Sequence, residues 1–149
     1  GHIFYHVSDL LTALDQPLAI PEATVSKARS MRDDLLASTD KEVLLHGDLH
    51  HDNILQHGDA WMVIDPKGFI GDPAFEVAAY LCNPIPELMH ENHVKQIIAE
   101  RIEVCADRLG LSSQRIQDWL YVKSVLCWAW SLEDHLGGEY WRKLIEMQS

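Results

Sequence analysis

From Phe4 to Leu14 the chain is short and apolar-rich, which predicts an opening helix, broken by Pro17 and Pro21. From Glu22 to Ala37 the positions Val25, Ala28, Met31 (or Arg32) and Leu35 recur near helical spacing with charges between them, predicting a second helix. The texture then changes. Glu42-Val43-Leu44-Leu45 is a brief apolar approach to a polar run. Asn53-Ile54-Leu55-Gln56 and Ala60-Trp61-Met62-Val63-Ile64 are extended in character, and the turn residues His57-Gly58-Asp59 between them predict a β-hairpin. Beyond Pro73 the pattern is helical: Ala74 to Leu81, then Glu87 to Leu109 ending at Gly110. Ser112 is placed to cap the next helix, which should run to about Leu136 before Gly137-Gly138 stops it, and a last short helix follows. No repeat or low-complexity stretch occurs. The expected fold is one domain, mainly α with a small β-hairpin.

Composition narrows the partners. The chain has 149 residues, 47% of them hydrophobic, which suits one domain with one core. Twelve basic against 23 acidic residues give a net charge of −11. That balance argues against nucleic acid, whose phosphates demand a basic face, and favours a cationic small molecule or plain solubility. The three cysteines Cys82, Cys105 and Cys127 lack CxxC spacing and read as core thiols of a reducing, cytoplasmic compartment. No apolar run reaches membrane-spanning length, so no membrane partner is expected. The chain opens Gly1-His2-Ile3 with no methionine, and a piece of something larger is expected.

The candidate chemistry is crowded into residues 44–53, LLHGDLHHDN. His46, Asp48, His50, His51 and Asp52 are all permissible metal ligands, and His51-Asp52 matches the HD pair of metal phosphohydrolases. Neighbouring side chains usually diverge, however, and that pair needs a helical setting with distant partner ligands. A metal phosphohydrolase built on His46, His51 and Asp52 stays open as an alternative, as does a binding lobe without turnover.

Phosphoryl transfer uses the spacing better. His46-x-Asp48-x-x-x-x-Asn53 has the interval of the kinase catalytic loop, HxDxxxxN. An Asp in a loop stands beside an incoming hydroxyl and accepts or directs its proton. An Asn five residues on offers a neutral amide oxygen to Mg²⁺, and the hairpin returns the chain at Ile64-Asp65 with a second carboxylate. Mg²⁺ takes hard oxygen ligands and keeps phosphate oxygens and waters in its shell, so one Asn and one Asp suffice when a nucleotide supplies the rest.

HGDLHHDNIL followed by VIDPKGFIGDPAFEVA resembles the aminoglycoside phosphotransferase family, and the DPKG variant resembles its streptomycin and hydroxyurea kinase branch. The resemblance is close from about Val43 to Pro84 and looser over the remaining helices. It implies the C-terminal lobe of a protein-kinase-like fold over residues 1–149, with a catalytic loop at 46–53, a hairpin at 53–65 and a helical remainder. It implies Asp48 as catalytic base, Asn53 and Asp65 as magnesium ligands, and ATP as co-substrate. His46 would pack under the loop and hold its shape. Glu76 matches a carboxylate position that binds catalytic-loop backbone. Lys67 stands where protein kinases continue Phe-Gly, which argues against a protein kinase; it is either a cation near the transferred phosphoryl group or a surface residue.

The nucleotide-binding N-terminal lobe of such kinases is missing from this sequence. The first 40 residues hold one glycine, Gly1, and no β-sheet pattern surrounds Lys27 or Lys41. The chain alone is therefore expected to fold but not to act as a kinase. Glu133 and Asp134 fall near the end of a long helix, where acidic residues oppose the helix dipole, and holding a guanidinium or ammonium group of an aminoglycoside is the functional reason considered. Trp119, Trp128 and Trp130 read as helix packing. His2, His6, His57, His90, His93 and His135 follow no pattern and read as solvent-facing, while His50 and His51 are placed equally well at the surface or facing substrate.

Overall fold

The computed structural model describes residues 5–46, 54–63, 68–82, 94–135 and 137–148. Helices dominate them. In chain order they are α1 (Val7–Leu11), α2 (Glu22–Ala37), α3 (Pro73–Leu81), α4 (Val94–Leu109), α5 (Ser113–Glu133) and α6 (Glu139–Met147). A 3-10 turn, Thr12–Asp15, continues α1. Two small sheets accompany them, with one strand before α1 and four between α2 and α3 in sequence. The first joins β1 (Tyr5–His6), β2 (Val43–Leu45) and β5 (Phe69–Gly71) in the order β1-β5-β2, and the second is the hairpin of β3 (Ile54–His57) and β4 (Ala60–Val63).

α5 is the axis of the helical layer. Ile116, Trp119, Leu120, Val122, Val125 and Leu126 are all at most 1% exposed, and α2, α3, α4 and α6 each pack against this helix. A helix buried on so much of its circumference loses the simple amphipathic stripe and draws its stability from packing. Phe75 of α3 meets Trp119 edge-on, ring centroids 5.3 Å apart, at the centre of the core. Trp128 is also buried, and Trp130 packs against the core from its margin.

α2 has the bounds its periodicity predicts, with Val25, Ala28, Arg32 and Leu35 inward. Arg32 reaches the core edge because its guanidinium is satisfied there, donating to Leu11 O at 3.1 Å and pairing with Asp15 at 2.9 Å. Ser112 caps α5, accepting the Arg115 N–H at 3.2 Å.

Two boundaries differ from the pattern-based expectation, and a third falls outside the described residues. The opening segment is not one helix: Tyr5 and His6 pair in parallel with Phe69 and Ile70, and α1 starts only at Val7. His6 imposes that start. Its Nδ1 accepts the Ser8 N–H at 3.0 Å while its own N–H donates to Asp9 at 3.2 Å, a reciprocal cap, and its Nε2 lies 2.6 Å from Glu42. This histidine is half-buried and engaged rather than solvent-facing. α5 stops at Glu133, short of Leu136, because Asp134 is the C-cap and His135 turns into the left-handed region at φ 58°. The helix expected from Glu87 is described only from Val94, since 83–93 lie outside the described residues.

Candidate active site

β2 carries the chain to the polar run, and β5 holds β2 in place. Val43, Leu44 and Leu45 pair antiparallel with Gly71, Ile70 and Phe69, and one step further the Gly68 N–H donates to His46 O at 3.2 Å. The hairpin closes the other side, with Ile54 opposite Val63 and His57 opposite Ala60. The segments 47–53 and 64–67 are thus bracketed by the same two pairings. Each has one end at His46 or its partner Gly68, and the other at Ile54 or its partner Val63. Asp48, Asn53, Asp65 and Lys67 belong to these two segments and lie outside the described residues, as do His50, His51 and Asp52. Among the described residues no three His, Cys, Asp or Glu side chains cluster as a metal site.

Glu76 arrives from α3. Asp72 caps this helix by accepting the Ala74 N–H at 2.9 Å, and Pro73 occupies its first position, where no amide hydrogen is needed. Glu76 follows in the first turn, where a carboxylate is favoured by the helix dipole, and accepts the backbone N–H of His46 at 2.5 Å. His46 is therefore held on both backbone polar groups, its N–H by Glu76 and its carbonyl by Gly68.

The start of α3 is anchored in turn. Asp72 is 6% exposed, and its Oδ2 accepts from Arg115 Nε at 3.0 Å, Arg115 Nη2 at 2.5 Å and Trp119 Nε1 at 3.0 Å. Arg115 also donates to Ser38 Oγ at 2.7 Å, Leu35 O at 3.1 Å and Thr39 Oγ1 at 3.2 Å, tying the end of α2 to the same point. A planar guanidinium with five donors suits this junction of three helices. Periodicity gave no sign of Arg115, and Trp119 read as helix packing alone, not as a partner of Asp72; Gly71-Asp72-Pro73 carried a helix-start signal for Asp72 alone.

Glu133 and Asp134 lie at the opposite end of α5 from Arg115. Eighteen residues separate Arg115 from Glu133, roughly 27 Å along a helix axis. Glu133 borders a cleft of about 360 Å³ between the end of α5 and the segment Ala13 to Ala19, with Trp130 in its wall.

Residues 10–135, most of the chain, match the sequence profile of the aminoglycoside/hydroxyurea antibiotic resistance kinases. The chain belongs to this family. Among curated relatives, a streptomycin 3''-kinase of Klebsiella pneumoniae is 33% identical over 122 residues, covering 78% of this chain and 45% of that protein. A streptomycin 6-kinase of Streptomyces glaucescens is 29% identical over 92 residues, covering 61% of this chain and 30% of its own length. A hydroxyurea phosphotransferase of Kitasatospora aureofaciens is 32% identical over 92 residues, covering 61% and 25% respectively. The chain spans less than half the length of these relatives. No solved structure matches it. Among the described residues no helix is long and apolar enough to cross a membrane.

Proposed function

We propose that this chain is the C-terminal catalytic and substrate-binding lobe, kinase-like in fold, of an ATP-dependent O-phosphotransferase acting on a streptomycin-like aminoglycoside. One observation carries the reading: the His46 backbone is fixed by Glu76 and Gly68, at the point where the run containing Asp48 begins and the segment containing Asp65 ends. Asp48 accepts or directs the proton of the substrate hydroxyl, the role an Asp at this spacing performs. His46 and Glu76 shape the entry of the loop. Lys67 lies in the segment that ends at Gly68 and is the candidate cation toward the transferred group.

Asn53 and Asp65 are the residues that hold magnesium in this reading. Their donors, an amide oxygen and a carboxylate, are the hard oxygens the ion takes. When bound, magnesium neutralises charge on the nucleotide phosphates. The chain contributes positioning and charge rather than covalent chemistry. The nucleotide-binding parts for which the first 40 residues offer no pattern belong, in this reading, to the remainder of the full-length protein. The cationic substrate meets Glu133 and Asp134.

The test is transfer of labelled phosphate from ATP to streptomycin by the full-length protein, beside its Asp48→Asn variant. The expected result is transfer by the parent and a turnover about 10²–10⁴-fold lower in the variant, the range for a lost acid–base group, with streptomycin affinity and folding retained. A variant with the parent's kcat would remove Asp48 from the reaction, and a parent inert toward streptomycin, other aminoglycosides and hydroxyurea would overturn the assignment.

A further inference from the structure

At the far end of α3 from Glu76, two cysteines of different helices meet. Cys82, the C-cap of α3, places its Sγ 4.0 Å from Sγ of Cys127 on α5 and donates its S–H to it. Cys82 is 1% exposed and Cys127 is partly exposed. Ser124 Oγ lies 3.7 Å from the Cys82 sulfur. Lys123 precedes Cys127 by one helical turn on the same face, its ammonium packed over the rings of Phe75 and Trp130 at 5.4 and 5.0 Å from their centroids. Buried cysteines are common as core filler. A facing pair beside a lysine and partly open to solvent is a different arrangement.

The geometry points to Cys82 and Cys127 as a redox-active dithiol that a hydroperoxide converts to an intramolecular disulfide. The two thiols are unequal. The hydrogen bond from Cys82, helped by Lys123, holds the Cys127 thiol below its usual range, whereas burial raises that of Cys82 well above its own. Cys127 is thus the sulfur that attacks and Cys82 the one that resolves. In the first step the Cys127 thiolate attacks a peroxide oxygen and the O–O bond breaks. With hydrogen peroxide, hydroxide leaves and takes up the proton Cys127 had released, giving water and a sulfenic acid. In the second, the Cys82 sulfur attacks Sγ of Cys127 and the S–O bond breaks. The departing hydroxide takes the Cys82 proton as a second water. Two thiols are oxidised by two electrons, and one peroxide is reduced to two waters.

A disulfide spans about 2.05 Å, so the sulfurs must close by about 2 Å. Cys82 lies at the C-cap of α3, so the closure is a movement of the end of α3 and the side chain of Cys127 toward each other. Cys105, on α4, takes no part and serves as an internal reference.

The experiment treats this chain with hydrogen peroxide in slight excess, then counts thiols after denaturation and maps peptides without reductant. The expected result is a fall from three free thiols to one, with Cys82 linked to Cys127, Cys105 unmodified, and all three recovered with dithiothreitol. In a Cys82→Ser variant, dimedone should trap the sulfenic acid on Cys127; Cys82→Ala gives the same reading if the serine variant does not fold. Three surviving thiols, a link through Cys105 or between two chains, or direct overoxidation of Cys127 in the parent would each overturn the proposal.

Discussion

Glu76 and His46, thirty residues apart in sequence, are joined by a 2.5 Å hydrogen bond from a main-chain N–H to a carboxylate. A charged acceptor makes this bond worth more than a neutral one, on the order of 1.5–3 kcal/mol. Glu76→Ala should therefore speed amide exchange at His46 by roughly 10- to 150-fold, the equilibrium equivalent of that energy. Glu76→Gln keeps an oxygen acceptor and should recover part of the protection. Exchange monitored by NMR decides the matter, and an unchanged His46 rate in both variants would show that the bond does not hold the entry of the loop.

Asp72 and Arg115 support that arrangement from below. The Asp72 side chain is 8% exposed and that of Arg115 27%, so the pair is closer to a buried bridge than a surface one. Breaking a buried pair from one side typically costs about 3–5 kcal/mol, because the remaining charge is stranded. Arg115 is partly wet, and Trp119 and the Ala74 N–H still serve Asp72, so Arg115→Met should cost about 3 kcal/mol, at the low end of that range. Arg115→Lys keeps the charge but loses the fork that reaches Asp72, Ser38, Leu35 and Thr39 together, and should recover less than half of the loss. Urea midpoints of the three proteins measure this, and a loss below about 1 kcal/mol for Arg115→Met would reduce the node to an ordinary surface pair.

What the sequence made legible was local. The bounds of α2, the Ser112 cap of α5 and the hairpin each follow from spacing, capping or turn residues that act within a few positions. β1 and β5 were invisible because strands of two and three residues have no period to detect and exist only through pairing across the fold. Arg115 was missed, and Trp119 was read as helix packing without its hydrogen bond to Asp72, for a related reason: Asp72 is more than forty residues away, and nothing in their own neighbourhood marks it. Glu76 was legible, through family resemblance, as a carboxylate that binds catalytic-loop backbone, while the particular amide it takes, that of His46, needed the tertiary arrangement of α3 against β2.

Gly71 closes β5 where α1 comes nearest. A Cβ there would sit 2.6 and 2.9 Å from the two γ-carbons of Val7, which is completely buried and stiff about χ1 within its helix. Gly71→Ala should destabilise the chain by about 1–3 kcal/mol through overpacking. Removing the obstructing methyls with Val7→Ala in the same chain should make the double variant more stable than the two single losses predict. Strict additivity in the thermal or urea midpoints would rule out the steric explanation.

Glu133 and Asp134 offer a test in which function and stability move in opposite directions. Both acids are exposed at the C-terminal end of α5, Glu133 as its last residue and Asp134 as the cap, where the partial negative charge of the helix makes further negative charge unfavourable. Their neutralisation as Glu133→Gln and Asp134→Asn should thus leave thermal stability unchanged or slightly higher. Affinity should behave otherwise if they face a cationic ligand beside the cleft that Glu133 borders. Losing two solvent-accessible ion pairs should weaken streptomycin binding to the full-length protein by roughly tenfold at low salt, given up to about 1 kcal/mol per pair. The penalty should shrink as ionic strength rises, since the screening length falls to about 8 Å at 0.15 M and about 3 Å at 1 M. Titration calorimetry at three salt concentrations reads both effects. Parent and double variant binding equally at every salt concentration would return the two acids to the ordinary surface and leave their place at the wrong end of a dipole without a functional reason.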